Sequence, residues 1–303
     1  MLLKLFILFS FIIQGVSHTS NNQKIIIIPD IHGDFNKLES ILKKENLVDN
    51  QLNWIAKNTK LYLLGDLVDG GGRSCTNGAN DSIKILNLIF NLKETAPSYN
   101  SEVQPLLGNH ELMNILEDYR YVDPNHCITF GKHCQCLKPD IQWKDQFAKD
   151  NNIGIFLRES PIIIKEGSHL IMHAGISENL LKLLENIKTK YPTIDLVNYL
   201  NHSFKTAIKK IDNNIPLNHK DITILGDDGV LWNRNMIYNS IDNNCDIVDR
   251  VRRLFKVEKI IVGHTILNND GIVTQYCNNT IISLDTGSSQ AFSYSSPKIN
   301  YYV

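Results

Sequence analysis

The sequence predicts an α/β protein. Five short apolar, β-branched runs bounded by Gly or Pro read as buried strands, and one stretch whose apolar residues recur at helical spacing reads as paired helices. A third observation ties fold to chemistry. Each strand run stops at a side chain able to bind a metal or move a proton, and residues just past the carboxyl end of a strand are held by it while facing a crevice.

The runs follow in order along the chain. Ile25-Ile26-Ile27-Ile28-Pro29 leads to Asp30 and His32, and Leu61-Tyr62-Leu63-Leu64-Gly65 leads to Asp66 and Asp69. Val103 to Glu111 holds Asn109 and His110, Leu170-Ile171-Met172 ends at His173, and Ile260-Ile261-Val262-Gly263 ends at His264. Helical periodicity runs through Leu180, Leu181, Leu184 and Ile187, then Leu196, Leu200, Phe204 and Ile208, and predicts core-facing stripes. With 43% apolar residues in a 303-residue chain, residues 24–303 suffice for one large domain with a sizeable core. Residues 111–160 and 178–222 read as cap-like insertions over the site, where substrate choice would reside.

The strand-end residues sort by chemistry. Asp30, His32, Asp66, Asn109, His173 and His264 offer two carboxylates, an amide oxygen and three imidazoles, a set suited to Mn, Fe or Zn and not to a thiolate metal. Six ligands exceed what one ion takes. Asp30 and His32 are assigned to a first ion, Asn109, His173 and His264 to a second, and Asp66 to a bridge between them. Two metals about 3.5–4 Å apart clamp the attacking and leaving oxygens of an in-line displacement and activate a bridging water near neutral pH. The set therefore points to hydrolysis of a phosphate ester. A lone His at a strand end is as readily structural, but five blocks in order with the right residue types are not coincidence.

The blocks Pro29-Asp30-Ile31-His32-Gly33-Asp34, Gly65-Asp66-Leu67-Val68-Asp69-Gly70, Gly108-Asn109-His110-Glu111, His173-Ala174-Gly175 and Gly263-His264 resemble the signatures of the phosphoprotein phosphatase family within the calcineurin-like metallophosphoesterases. Residues 107–122, Leu231-Trp232-Asn233-Arg234 and Ile282-Ser283-Leu284-Asp285-Thr286-Gly287 narrow the resemblance to its Shewanella-like branch, over about residues 24 to 290. The resemblance implies a metallophosphoesterase fold: a central β-sandwich of two mixed sheets flanked by helices, with loops at one edge holding two divalent ions, Mn foremost.

It also implies roles. His110 would be the general acid, protonating the leaving oxygen, and Asp69 the carboxylate that orients it, as a working histidine requires. Arg234, after the Leu-Trp pair, would grip substrate phosphate, with Asn109 beside it; planar Arg gives bidentate donors. The chain departs from the family pattern at one place. Relatives usually have Asp-Arg-Gly after the second block, where this sequence reads Asp69-Gly70-Gly71-Gly72-Arg73. Either Arg73 swings in from a flexible glycine loop when phosphate binds, since Gly adopts φ values other residues avoid, or it stays in solvent.

Residues 1–17, with one Lys, an apolar stretch from Leu5 to Ile13 and small residues at Gly15 and Ser17, read as a signal peptide too short for a transmembrane anchor. This places the enzyme in the secretory pathway. The six cysteines, Cys75, Cys127, Cys134, Cys136, Cys245 and Cys277, then suggest disulfides of unspecified pairing; the alternative is a zinc site from His126, Cys127, His133, Cys134 and Cys136. Sequons at Asn80, Asn201 and Asn278 match chance in an Asn-rich chain. A formal net charge of −1 gives no ground for nucleic-acid binding. Oligomeric state is not legible. The reading is a phosphoprotein phosphatase acting on phosphoserine, phosphothreonine or phosphotyrosine in a protein or peptide. Its rivals are a diadenosine-tetraphosphatase-like nucleotide hydrolase and a pseudophosphatase binding module.

Overall fold

Parallel pairing sets the ligand-bearing strand ends side by side. In the computed structural model, which describes residues 23–76, 78–267 and 273–292, strands β1 (Lys24–Ile28), β2 (Thr59–Leu63) and β3 (Glu102–Pro105) form a sheet in that order. Ile28 lies opposite Leu63, and Leu63 opposite Pro105, so all three chains leave the sheet at one edge. Parallel neighbours need crossovers, and helices α1 (Phe35–Lys44) and α2 (Ser82–Thr95) supply them. Asp34 starts α1 by accepting from Lys37 N at 3.0 Å, a side-chain N-cap. The predicted signal peptide, residues 1–17, lies outside the described residues.

Residues 111–160 carry most of α3 (Asn109–Ile115), the antiparallel hairpin of β4 (Cys127–Phe130) and β5 (Cys136–Pro139), and helices α4 (Ile141–Phe147) and α5 (Asn152–Glu159). The second sheet contains β6 (Ile163–Glu166), β7 (His169–Met172), β8 (Lys259–Val262), β9 (Thr274–Tyr276) and β10 (Ile281–Ser283) in the order β6-β7-β8-β10-β9. This sheet is mixed: β7, β8 and β10 run parallel, while β6 and β9 are antiparallel edges. Between β7 and β8 lie α6 (Glu178–Lys190), α7 (Leu196–Asp212), α8 (His219–Leu225), α9 (Asn235–Ile241) and α10 (Asp246–Phe255).

The sheets pack face to face. Ile27, Tyr62, Leu64 and Leu106 meet Ile171, Ile261, Ile282 and Leu284 in one buried layer. The alternate residues Ile26, Ile28, Leu61, Leu63 and Val103 point the other way, into the larger core with the helices. That alternation is the period-two geometry of strands, and burial on both faces explains why the sequence runs are continuously apolar. The stripe through Leu180, Leu181, Leu184, Leu196, Leu200, Phe204 and Ile208 is buried in the same core.

All six cysteines are paired, Cys75 with Cys134, Cys127 with Cys136 and Cys245 with Cys277. The zinc alternative fails, because Cys127, Cys134 and Cys136 have no thiolate to give, and His126 instead bonds Asp140 at 2.9 Å. Asn201, one of the sequons, is taken up structurally: its Oδ1 accepts from Ile162 N and its Nδ2 donates to Ile163 O. Among the described residues no helix is long and apolar enough to cross a membrane.

Candidate metal centre and active site

Strand ends and positive backbone angles aim the ligands. His32, Asp66, Asp69 and His264 all adopt left-handed φ, at 45°, 48°, 70° and 64°, conformations uncommon outside glycine and concentrated at functional sites. Gly65 and Gly108 lie backbone to backbone, where a Cβ on Gly65 would sit 2.1 Å from Gly108 N. Only glycine lets the second and third blocks approach so closely.

Glu111 locks these two blocks together. One carboxylate oxygen accepts from Asp66 N at 2.9 Å and Gly108 N at 2.8 Å, the other from Leu67 N at 2.8 Å and Val68 N at 3.3 Å. Asp66 in turn accepts from His110 N at 3.0 Å.

Asp66 is shared by two clusters of potential ligands, His32–Asp66–His110 and Asp66–His173–His264. His32 Nε2 lies 3.6 Å from one Asp66 oxygen and His173 Nε2 lies 3.4 Å from the other. Asn109 Oδ1 is 3.0 Å from His173 Nε2, and His264 Nδ1 is 3.1 Å from it. Asp30 lies outside both clusters and is tied to the second, both its oxygens accepting from His264 N at 3.1 Å.

The donor set fits divalent cations. His173 Nδ1 donates to Leu64 O at 2.8 Å and His264 Nε2 to Trp232 O at 3.2 Å, which turns the other nitrogen of each ring inward. His173 Nε2 therefore faces three acceptors: Asp66 Oδ1, Asn109 Oδ1 and the His264 Nδ1 lone pair. One proton there serves one of them; a cation serves all. The demand for positive charge shows in the electrostatics. Burial opposes ionisation of His173, yet Asp66, Asp30 and Glu111 pull its pKa up to about 9. Burial likewise opposes the charge on Asp66, but His173, His110 and His32 hold it well below the usual carboxylate range. Burial, then Arg73, pushes His32 well below the ordinary imidazole value, and burial, then His173, does so for His264. Neutral imidazoles are the form that ligates. His32 turns Nε2 toward Asp66, and among the described residues its buried Nδ1 has no hydrogen-bond partner.

His110, a member of the first cluster, has a carboxylate behind it. Its Nδ1 is 2.8 Å from Asp69 Oδ2, and its Nε2 faces the metal ligands, 3.8 Å from Asp66 Oδ2. Asp69, 0% exposed, also accepts from Asn114 Nδ2. Burial and Asp285 raise the pKa of Asp30, and burial then Asp66 pushes Asp285 up to about 6.

Arg234 is placed at the other side, its Nη1 donating to His264 O at 2.7 Å. Arg73 requires a correction. It is partly buried against the site and does not stand in solvent. Its guanidinium donates to Asp69 O and Gly71 O, both at 3.1 Å, and lies 4.4 Å from the Phe292 ring centroid and 5.2 Å from that of Tyr121. Gly71 N donates to Tyr121 O at 2.9 Å, and a Cβ on Gly71 would come within 2.0 Å of Val122 O. The glycines serve close packing, and the chain they carry is already wrapped around the site.

Four site residues were given no role in the sequence reading. Asp285 follows β10 as Asp30, Asp66 and His264 follow their strands, so the strand-end rule would have marked it. Glu111 was seen only as the end of a block. Phe292 lies 5.0 Å from His32 between ring centroids and Tyr121, inside the 107–122 block, 4.9 Å from His110; neither was given a role.

Residues 23–267 match the calcineurin-like phosphoesterase family, and the chain belongs to it. Within that family it is similar to Shewanella-like protein phosphatase 1 of Plasmodium berghei, 29% identical over 92% of this chain and 71% of the relative. It is also similar to Shewanella-like protein phosphatase 2 of Arabidopsis thaliana, 23% identical over 91% and 74%. The fold is that of the cold-active protein-tyrosine phosphatase of a psychrophilic Shewanella species, with a TM-score of 0.69 at 24% identity, covering 90% of this chain and 73% of that one. The resemblance read from the sequence blocks, and the α/β sandwich it implied, both stand.

Proposed function

We propose that this chain is a phosphoprotein phosphatase that hydrolyses phosphomonoesters of serine, threonine or tyrosine. The observation that carries the reading is Asp66 shared by two ligand clusters, one of which contains His110 backed by Asp69. Asp30, His32 and Asp66 would hold one divalent ion and Asp66, Asn109, His173 and His264 another, with Mn the favoured metal for an O/N set. Bound there, the ions would supply Lewis acidity, activating water and neutralising phosphoryl charge. The protein supplies the rest. Asn109, Arg73 and Arg234 would bind the phosphoryl oxygens, the arginines by planar donor pairs. Asp69 fixes the His110 ring so that Nε2 presents a proton to the departing ester oxygen, general acid chemistry worth about 10²–10⁴ in rate. Tyr121 and Phe292 pack against His110 and His32.

The proposed location is an oxidising compartment of the secretory pathway, supported by the three disulfides and the leader-like composition of residues 1–17. The test is incubation of purified protein with Mn²⁺ or chelator and a panel of phosphopeptides and diadenosine tetraphosphate. Phosphopeptide turnover that chelation abolishes supports the reading. Turnover of the dinucleotide alone would assign a nucleotide hydrolase, and binding without turnover a pseudophosphatase.

A further inference from the structure

Behind Asp69 a buried polar chain continues beyond the groups that touch substrate. Asn114 Nδ2 donates to Asp69 Oδ1 at 2.9 Å and Oδ2 at 3.0 Å, and to His110 O at 2.9 Å. Its Oδ1 accepts from Trp143 Nε1 at 2.6 Å. Asn114 and Trp143 are 1% and 0% exposed, so water replaces none of these bonds. We propose that Trp143 is a positioning residue for His110, fixing through the Asn114 amide the carboxylate that orients the imidazole.

The argument turns on which way the amide faces. A carboxamide has two orientations of nearly equal shape, and an indole N–H can only donate. Trp143 therefore commits the Asn114 oxygen to itself and the amide nitrogen to Asp69. In the opposite orientation the amide oxygen would lie about 3 Å from both Asp69 oxygens, acceptor against anion, with nothing to hold the carboxylate toward His110. Trp143 is itself held. Its N donates to Asp140 Oδ1 at 2.8 Å, the N-cap of α4, and its ring packs 5.3 Å from Phe147. Asp140 also takes His126 Nδ1, and Asp140 N donates to His126 O at 2.9 Å. Helix α4 thus meets the Asn114 amide through the Trp143 side chain, and removing that side chain acts on orientation while leaving metal ligands and phosphate contacts in place.

The inference rests on the reading of His110 as proton donor, so the experiment separates the two. Wild type, His110→Asn, Trp143→Phe and Asn114→Asp, metal-loaded, are compared on an alkyl phosphate and on p-nitrophenyl phosphate, whose leaving group needs little protonation. Trp143→Phe should lose about tenfold in kcat on the alkyl ester, within the range for groups that orient a working histidine, with KM within about twofold and a smaller loss on the nitrophenyl ester. An equal loss on both esters, or no loss, overturns the inference. Should Trp143→Phe fail to fold, the isosteric Asn114→Asp decides, since its second oxygen opposes Asp69: selective loss on the alkyl ester supports the relay and uniform loss overturns it. If His110→Asn itself loses equally on both esters, the proton-donor reading falls and takes the relay with it, an outcome visible in that variant alone.

Discussion

Glu111→Gln is the sharpest test of how the site is built. Glutamine is the same shape, yet both oxygens of Glu111 accept backbone N–H groups, from Asp66 and Gly108 on one and from Leu67 and Val68 on the other. Either orientation of the amide sets an NH₂ against two N–H donors. Two buried donors lose their acceptor at about 1–3 kcal/mol each. Part of that is offset because no charge need be buried, and burial, then Asp66, already raises the carboxyl pKa. The net expectation is roughly 2–4 kcal/mol of destabilisation, a fall in Tm of about 5–10 °C for a chain of this size. Because the lost bonds hold the turn that aims Asp66, metal affinity should fall about 10–100-fold as well. Thermal unfolding followed by circular dichroism on chelated protein, with calorimetric Mn²⁺ titration of the same samples, measures both. A Tm within about 2 °C of wild type together with unchanged metal affinity would refute the idea that Glu111 organises the centre.

Other residues yield distinct expectations. His110→Asn should cost about 10²–10⁴ in kcat on alkyl phosphates, less on p-nitrophenyl phosphate; comparable losses on both would assign His110 to metal binding. Because Arg73 is already seated, its removal should need no loop to disorder: Arg73→Ala and Arg234→Ala should each lower kcat/KM about tenfold or more. Kinetics that put Arg73→Ala within about twofold of wild type would leave Arg234 as the lone phosphate arginine. Asp123, buried and accepting from Gly70 N and Ser82, has its pKa raised from 3.8 to about 6, chiefly by burial. A carboxyl pKa raised on folding gives stability that is present below about pH 4 and lost as pH rises through about 6, here about 3 kcal/mol. The stability gap between wild type and Asp123→Asn, from urea unfolding at several pH values, should therefore move against wild type across that window; a constant gap would contradict it.

Much of the site was legible because strands carry local signals. A β-branched run bounded by Gly or Pro announces its own end, and Asp30, Asp66, Asn109, His173 and His264 each sit just past one, so converging them required only that the strands be parallel. Asp285 obeys the same rule and was read only as part of the 282–287 block, without a role, because Ile281-Ile282-Ser283 is short. What could not be read depends on contacts between distant segments. Arg73 looked mobile because three glycines precede it, whereas those glycines are demanded by the close approach of residues 121 and 122. The disulfide pairing, the Tyr121 and Phe292 ring contacts and the Asn114–Trp143 bond likewise join segments whose separation no periodicity encodes.

The account stands on Asp66 serving two ions at once. Counting bound Mn²⁺ per chain, by elemental analysis after equilibrium dialysis, tests this for wild type and Asp66→Asn without reference to turnover. The predicted result is two ions per chain in wild type and a collapse of both sites in the variant. Loss of only one ion, the other retained at wild-type affinity, would contradict the shared carboxylate and the two-metal centre built around it.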